Sequence, residues 1–333
     1  MSTTQEAIDI EQHYIPPALV EGYRQAPPET PGAMMAAVAA GADRFSLEGN
    51  RPVGRQYELE PRLAEMEEAG VGLSLLSNAM LPYYPADEDS RAWLAGLVAA
   101  CNDETLEAAA AYPGRFGVLA VLPFPYAEAC LAELDRLEGE SLVRGIVAHA
   151  ASKNWTLDRA DLQPVYERLA TKSYPMLIHP SGEGVHREPM FRDWKLAPAI
   201  AAMVETTTIA TRLILSGMLD RVPGFVPIVP HLGGALPYLV GRIDDVSGKG
   251  DAEHDVRWYL RNRLRFGTCS FHHPALDCAA ATVSPENILL GTDYPYRGSL
   301  QRAIDDIRTS SLSRTEQDGV LRTNAERLGV ASR

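Results

Sequence analysis

A carboxylate and an imidazole stand two residues apart near the start of the chain, in the segment 8–13 (IDIEQH). This segment reads as a strand, and residues i and i+2 of a strand point to the same face. Glu11 and His13 would therefore project together from a strand end. Both side chain types bind divalent metal ions in proteins. Such a pair arises often by chance, so its meaning depends on whether other strand ends supply partners.

Ligand-type side chains also end later apolar runs. His179, His231 and Asp293 each close or directly follow such a run. Taken singly, a histidine after a strand is more often a loop residue than a ligand, and an aspartate there often starts a turn. Taken together, these strand ends favour a divalent metal site rich in oxygen and nitrogen donors.

The elements that must position these side chains alternate without a break. We predict eight apolar strands separated by helical stretches, over residues 8–13, 71–76, 117–122, 143–148, 175–179, 225–230, 264–269 and 287–291. This is the pattern of a (β/α)8 TIM barrel, whose strands converge at their carboxyl ends on the face that builds active sites. Because Pro227 and Pro230 remove ladder donors, the sixth strand should be short and irregular. A doubly wound open sheet is the alternative, but no glycine-rich dinucleotide or Walker loop is present.

The length and composition fit a globular chain. The sequence has 333 residues, of which 46% are hydrophobic and 23% charged. One large domain or two small ones would fit this length. The unbroken alternation favours a single barrel domain over residues 1–333, with a long loop insertion over residues 14–56 after the first strand.

The charge pattern excludes several classes of partner. The formal net charge of -13 is spread along the chain, which argues against nucleic acid and anionic membranes as partners. We find neither a run of about 18 apolar residues nor a signal-peptide pattern, so a cytoplasmic location is expected. The four cysteines lack a Cys-x-x-Cys spacing, which indicates neither a thiolate metal site nor a disulfide framework. Cys101 and Cys130 fall on apolar helix stripes and should be core residues.

Four segments in order resemble the signature motifs of a known family: IDIEQHYIPP at 8–17, LIHP at 177–180, PHLGG at 230–234 and LGTDYP at 290–295. Over residues 7–328 the chain is similar to the amidohydrolase superfamily. More narrowly, it resembles the aminocarboxymuconate-semialdehyde decarboxylase branch, which includes γ-resorcylate, 2,3-dihydroxybenzoate and 5-carboxyvanillate decarboxylases. The motifs are specific for the superfamily and much less specific for the reaction.

The resemblance implies roles for the strand-end residues. Glu11, His13, His179 and Asp293 would bind the metal ion, and His231 would be the acid or base. In a decarboxylation, Asp293 would carry the proton when it is not firmly bound to the metal, and His231 would polarise or relay it. The superfamily usually begins with His-x-His, and the Glu11 variant resembles the benzoate-type decarboxylases. The implied activity is metal-dependent, non-oxidative decarboxylation of a hydroxyaromatic or unsaturated carboxylic acid. The resemblance also implies a homodimer.

The same residues would serve other reactions. A hydrolase of lactones, amides or C–C bonds would use the metal to activate water, with His231 or Asp293 taking the proton. A non-heme iron oxygenase on this fold is a second alternative, and a non-catalytic metal-bearing subunit is a third. The expected cofactor is one divalent ion, Zn²⁺, Mn²⁺ or Fe²⁺, and two carboxylates favour the harder ions. Binding of a second divalent ion remains an alternative, with His149 or His272 as one of its ligands.

Substrate recognition is expected from loops near the same face. Arg51 and Arg55 precede the second β/α unit and would pair with a substrate carboxylate, unless they are simply solvated. His149 takes the place of the lysine that bridges two metals in binuclear hydrolases, so a carbamylated lysine is not expected. There it would touch substrate or a second metal. Of the adjacent His272 and His273, only His272 is expected to line the substrate pocket.

Overall fold

The computed structural model describes residues 6–24, 46–48, 51–53, 57–78, 88–152, 155–181, 184–270, 272–296 and 299–331. Eight parallel strands form one sheet whose order follows the chain. We number them β1 Ala7–His13, β2 Val71–Ser77, β3 Phe116–Val121, β4 Val143–His149, β5 Met176–His179, β6 Pro227–Val229, β7 Arg265–Gly267 and β8 Ile288–Leu289. All eight predicted strands are therefore present.

Hydrogen bonds between the first strand and the last close the sheet. The Ile10 amide donates to the Leu290 carbonyl at 2.9 Å, and the His13 amide donates to the Tyr294 carbonyl at 2.7 Å. Gln12 and Tyr294 also form a parallel bridge. The sheet is thus a barrel, and the predicted (β/α)8 fold is confirmed.

Helices separate successive strands and cover the outside of the barrel. Their bounds are Pro17–Arg24, Glu60–Ala69, Glu88–Ala110, Ala127–Arg136, Gln163–Thr171, Ala202–Leu215, Met218–Arg221, Leu236–Ser247, Val256–Asn262, His273–Val283, Leu300–Arg308, Arg314–Asp318 and Asn324–Arg327. Two antiparallel hairpins lie outside the barrel and pair Ser46–Glu48 with Arg51–Val53 and Ala151–Ser152 with Trp155–Thr156.

The strands read as largely apolar runs because helices cover the outer face of the barrel and the strands' own side chains fill its interior. Every residue of β1 and β3 is buried. Cys101 and Cys130 are fully buried in the core, as predicted. The sixth strand has only three residues and begins at Pro227, where the missing N–H removes no inner ladder bond.

One helical stretch, Ala197–Leu215, is long and apolar enough to cross a membrane by length and composition. Glu205 and Arg212 interrupt it, so it is not a continuous apolar run. Half of this stretch is buried inside the protein, with Ile209, Leu213 and Ile214 in the core. A helix that packs against a barrel meets the same criterion, so this finding is weak evidence for a membrane.

Some predicted features fall outside the described residues. Arg55 is among them, and so are residues 25–45 of the predicted loop insertion. Arg51 begins one strand of the first hairpin, but its side chain lies outside the described part. The predictions for these residues therefore stay predictions.

Candidate metal centre

Four of the predicted ligand residues meet at the carboxyl ends of the strands. Glu11 and His13 lie on β1, His179 ends β5, and Asp293 follows β8. One ligand atom from each residue lies within 4.8 Å of the other three. The His13 Nε2 and Asp293 Oδ1 atoms are 2.8 Å apart, and the rings of His13 and His179 stand edge to face with centroids 4.8 Å apart. This arrangement fits a single cation.

The burial and the hydrogen bonding of the Glu11 carboxylate, next to Asp293, support the binding of a cation. Burial, together with the negative charge of Asp293, raises the pKa of Glu11 well above its usual value. Among the described residues, the buried Oε1 atom of Glu11 makes no hydrogen bond. An unsatisfied buried polar atom destabilises a protein by about 1 to 3 kcal/mol. A divalent cation would bind this oxygen and offset the repulsion between the two carboxylates.

His179 is oriented for coordination by the residue that follows it. Its Nδ1 lies 2.8 Å from the Pro180 carbonyl oxygen, and a carbonyl only accepts, so Nδ1 carries the proton and donates. The lone pair is then on Nε2, as in most metal-bound histidines. Burial and the nearby His13 ring hold the pKa of His179 well below its usual value. His179 is therefore a neutral imidazole ready to bind a metal.

Two residues of the centre have unusual backbones. His231 and Asp293 both have a φ of +56°, in the left-handed region that non-glycine residues rarely adopt. Such conformations cluster at functional sites because the surrounding structure holds them. Burial opposes ionisation of Asp293, but the His13 hydrogen bond and the charges of His13 and His231 outweigh it and hold its pKa below the usual value. Asp293 is therefore anionic.

His231 lies beside the four ligand residues. Only 7% of it is exposed, and its protonated form would lower the pKa of both Asp293 and His179. Its backbone N–H donates to the Cys269 sulfur at 3.3 Å. It does not belong to the cluster of ligand atoms, which agrees with the acid or base role that the family resemblance implies.

The remaining predicted site histidines take different positions. His149 is buried at the end of β4, and its ring centroid lies 6.4 Å from that of His179. His272 and His273 are both exposed and line one cavity with Cys269. We predicted that only His272 of this pair lines the substrate pocket. None of the four proposed ligand residues is among the residues that line this cavity, so that prediction stays a prediction.

Asp9 is a buried carboxylate that our reading of the sequence missed. It accepts hydrogen bonds from the Glu11 amide at 3.1 Å, from Gln12 Nε2 at 2.8 Å, and from the amide and hydroxyl of Thr292 at 3.1 and 2.5 Å. Burial raises its pKa to about 6. Asp9 therefore ties β1 to the segment after β8, and these two segments carry three of the four ligands. The sequence could have revealed this buried carboxylate, because Asp9 is a charged residue between two isoleucines of an apolar strand.

Arg62 is a second buried charge that the sequence did not reveal. It is 0% exposed, and its Nη2 donates to the carbonyl oxygen of His13 at 2.7 Å. Its guanidinium lies over the Tyr294 ring, 4.8 Å from the centroid. Burial lowers the pKa of Arg62 to about 10, so it stays charged at neutral pH. Arg62 thus fixes the carboxyl end of β1 through a hydrogen bond to its last residue.

Replacing Arg62 with methionine is expected to destabilise the metal-free protein by about 3 kcal/mol, because the buried His13 carbonyl loses a charged donor. Urea unfolding measures this change. Arg314→Met is the matched control, since the Arg314 side chain is 65% exposed and its loss should change stability by no more than about 0.5 kcal/mol. Equal stability of the two variants would contradict the role of Arg62.

Comparison with known proteins agrees with this geometry. A γ-resorcylate decarboxylase from a Rhizobium species is 27% identical over 291 residues, which cover 81% of this chain and 86% of that protein. The crystal structure of 5-carboxyvanillate decarboxylase from Sphingomonas paucimobilis is 25% identical, with a TM-score of 0.83 over 98% of this chain and 99% of that one.

A dihydroxybenzoic acid decarboxylase from a Polaromonas species, solved with manganese and 2-nitroresorcinol, shares the fold with a TM-score of 0.79 at 23% identity, over 98% of this chain and 97% of that one. The family described as amidohydrolase matches residues 8–328. The predicted resemblance is thus confirmed, and the chain belongs to the amidohydrolase family, in the branch that contains these decarboxylases.

Proposed function

We propose that this protein is a metal-dependent carboxy-lyase that removes carbon dioxide from a hydroxyaromatic or unsaturated carboxylic acid without oxidation. The observation that carries the proposal is the cluster of two carboxylates and two imidazoles around one point, with Glu11 in the first position. The relatives γ-resorcylate decarboxylase and 5-carboxyvanillate decarboxylase support it, because their likeness extends over most of the chain.

We propose that Glu11, His13, His179 and Asp293 hold one divalent ion. Two carboxylates favour a harder ion, which puts Mn²⁺ before Fe²⁺ and Zn²⁺. The same fold is solved with manganese in the Polaromonas protein. Within the described part of the chain, no second group of three or more ligand residues comes together in this way. The proposed stoichiometry is therefore one ion per chain.

The chain's own residues would then move the proton. A bound divalent ion supplies positive charge that draws the substrate carboxylate and an adjacent phenolate oxygen to the strand ends. Asp293 would take a proton from His231 and donate it to the ring carbon that bears the carboxylate. The bond to the carboxylate then breaks, its electron pair restores the aromatic ring, and carbon dioxide leaves.

The substrate ring would lie against residues at the open face. Tyr296 is 41% exposed, and its ring centroid lies 5.2 Å from that of His13, so it offers an aromatic surface there. His149, one strand from His179, faces the same region. We retain Arg51 and Arg55 as the proposed partners of a substrate carboxylate, and His272 as a residue of the rim.

A parallel assay separates decarboxylation from the hydrolase and oxygenase alternatives, which use the same ligands. Protein loaded with Mn²⁺, Zn²⁺ or Fe²⁺ is incubated with a panel of hydroxybenzoates, and with lactones and amides. We expect carbon dioxide and the decarboxylated phenol in equal amounts, with no oxygen uptake. Hydrolysis of a lactone or amide without carbon dioxide release, or oxygen consumption with Fe²⁺, would replace the proposal.

Three further proposals concern the whole chain: a single barrel domain, a cytoplasmic location and a homodimer. Large apolar side chains exposed after β5 and β6 support a second copy as the partner, including Trp194 at 87% and Tyr238 at 84% exposure, because exposed apolar surface favours association. Analytical ultracentrifugation of the purified protein tests the dimer.

A further inference from the structure

Glu11 lies in a tight pocket made by three residues that are distant from it in sequence, which we call the Glu11 cradle: Gly267 at the end of β7, Cys269 just after it, and Gly291 after β8. The Cys269 thiol donates to Glu11 Oε2 at 3.1 Å. A methyl group at Gly291 would lie 2.8 Å from Oε2, and one at Gly267 would lie 3.2 Å from it. The cradle therefore surrounds one oxygen of the carboxylate, and Gly291 has no room for a side chain.

The two oxygens of Glu11 are consequently not equivalent. Oε2 is packed against both glycines and bonded to the thiol, whereas the buried Oε1 has no hydrogen bond among the described residues. We propose that the cradle restricts Glu11 to binding the metal through Oε1 alone, and that Cys269 is the positioning residue that sets this orientation. This inference rests on the metal site proposed above.

Cys269 is placed to couple two parts of the centre. Its sulfur accepts a hydrogen bond from the His231 amide at 3.3 Å, and its S–H group donates one to Glu11 Oε2. One atom thus links the first metal ligand to the segment that carries the proposed acid or base. Only 5% of Cys269 is exposed, so water does not replace this contact freely.

Binding through one oxygen has a consequence for the substrate. A divalent ion held by one atom from each of the four residues would keep more of its coordination positions for substrate oxygens than an ion that Glu11 binds through both oxygens. A carboxylate oxygen and the oxygen of a neighbouring hydroxyl group on the substrate could then both bind the ion. The cradle thereby favours substrates that chelate over simple benzoates.

Cys269→Ala and Cys269→Ser test the cradle through metal affinity, measured by competition between the protein and a chelating dye for Mn²⁺. We expect the alanine variant to bind Mn²⁺ about 10- to 100-fold more weakly. The serine variant keeps a donor and should stay within about threefold of the wild type. Urea unfolding of the metal-free variants should be alike, which separates positioning from a general loss of structure. Cys278→Ala, at an exposed cysteine, is the matched control.

The outcomes are distinct. If the wild type binds no metal, the proposed site itself fails. If the wild type binds Mn²⁺ and Cys269→Ala binds it equally tightly, only the cradle is wrong. A thiolate-to-cobalt charge-transfer band in the Co²⁺-loaded wild type, absent from Cys269→Ser, would also overturn the proposal, because Cys269 would then be a ligand. Should Cys269→Ala fail to fold, Gly291→Ala tests the packing against the same Glu11 oxygen. It should weaken Mn²⁺ binding, and wild-type binding would contradict the cradle. Gly96→Ala, where an added methyl meets nothing within 4 Å, is its control.

Discussion

Replacing His179 with alanine is expected to reduce the affinity for a divalent ion by about 100-fold or more and to abolish decarboxylation. The variant removes one of the four donors that lie within 4.8 Å of one another. The loss of a residue that only orients a ligand already weakens metal binding about 10- to 100-fold, so the loss of the ligand itself should weaken it at least as much. Elemental analysis after dialysis, together with carbon dioxide release, measures both effects.

His254→Ala is the matched control for this experiment. His254 is exposed and stacks on Trp258 with ring centroids 4.0 Å apart, and it takes no part in the ligand cluster. This variant should retain the metal and the activity of the wild type. A full complement of metal in His179→Ala would show that the ion binds elsewhere.

Replacing His231 with asparagine is expected to lower kcat by about 100- to 10,000-fold, which is the usual contribution of a positioned acid or base. Metal content should not change, because His231 is not among the four ligand residues. The useful measurement is kcat and KM together with metal analysis of the same preparation. A selective loss of kcat would assign His231 to proton transfer.

The comparison variant is His254→Asn, which makes the same chemical change at an exposed residue that is not part of the ligand cluster. It should leave kcat within about twofold of the wild type, as expected for a surface substitution without a functional contact. Wild-type turnover by His231→Asn would exclude His231 as the acid or base. Loss of metal from that variant would instead identify His231 as a ligand.

The eight strands and the ligand set could be predicted because their signals are local in the sequence. Buried parallel strands read as short apolar runs, and each ligand stands at the end of such a run or directly after it. A closed barrel brings all strand ends to one face whatever the details of packing. Glu11, His179 and Asp293 could therefore be assigned to one site before their distances were known.

The side chains of β1 do not alternate between the two faces as they would in a regular strand. Asp9 pairs with Ser74 and Gln12 pairs with Leu76, so β1 advances three residues while β2 advances two. Such a bulge shifts the alternation and allows the side chains of Asp9 and Gln12 to meet at 2.8 Å. A regular strand would place them on opposite faces. The bulge depends on the neighbouring strand, which the segment itself does not reveal.

The sequence alone determined which residue types stand at the barrel ends, because strand periodicity and apolar runs are properties of neighbouring residues. Only the tertiary structure decided how those residues are held. Arg62 comes from a helix, Cys269 follows β7, and Gly291 follows β8, and each meets β1 only after the barrel closes. Their contacts set the orientation of Glu11 and His13 through packing between distant segments, which no local pattern encodes.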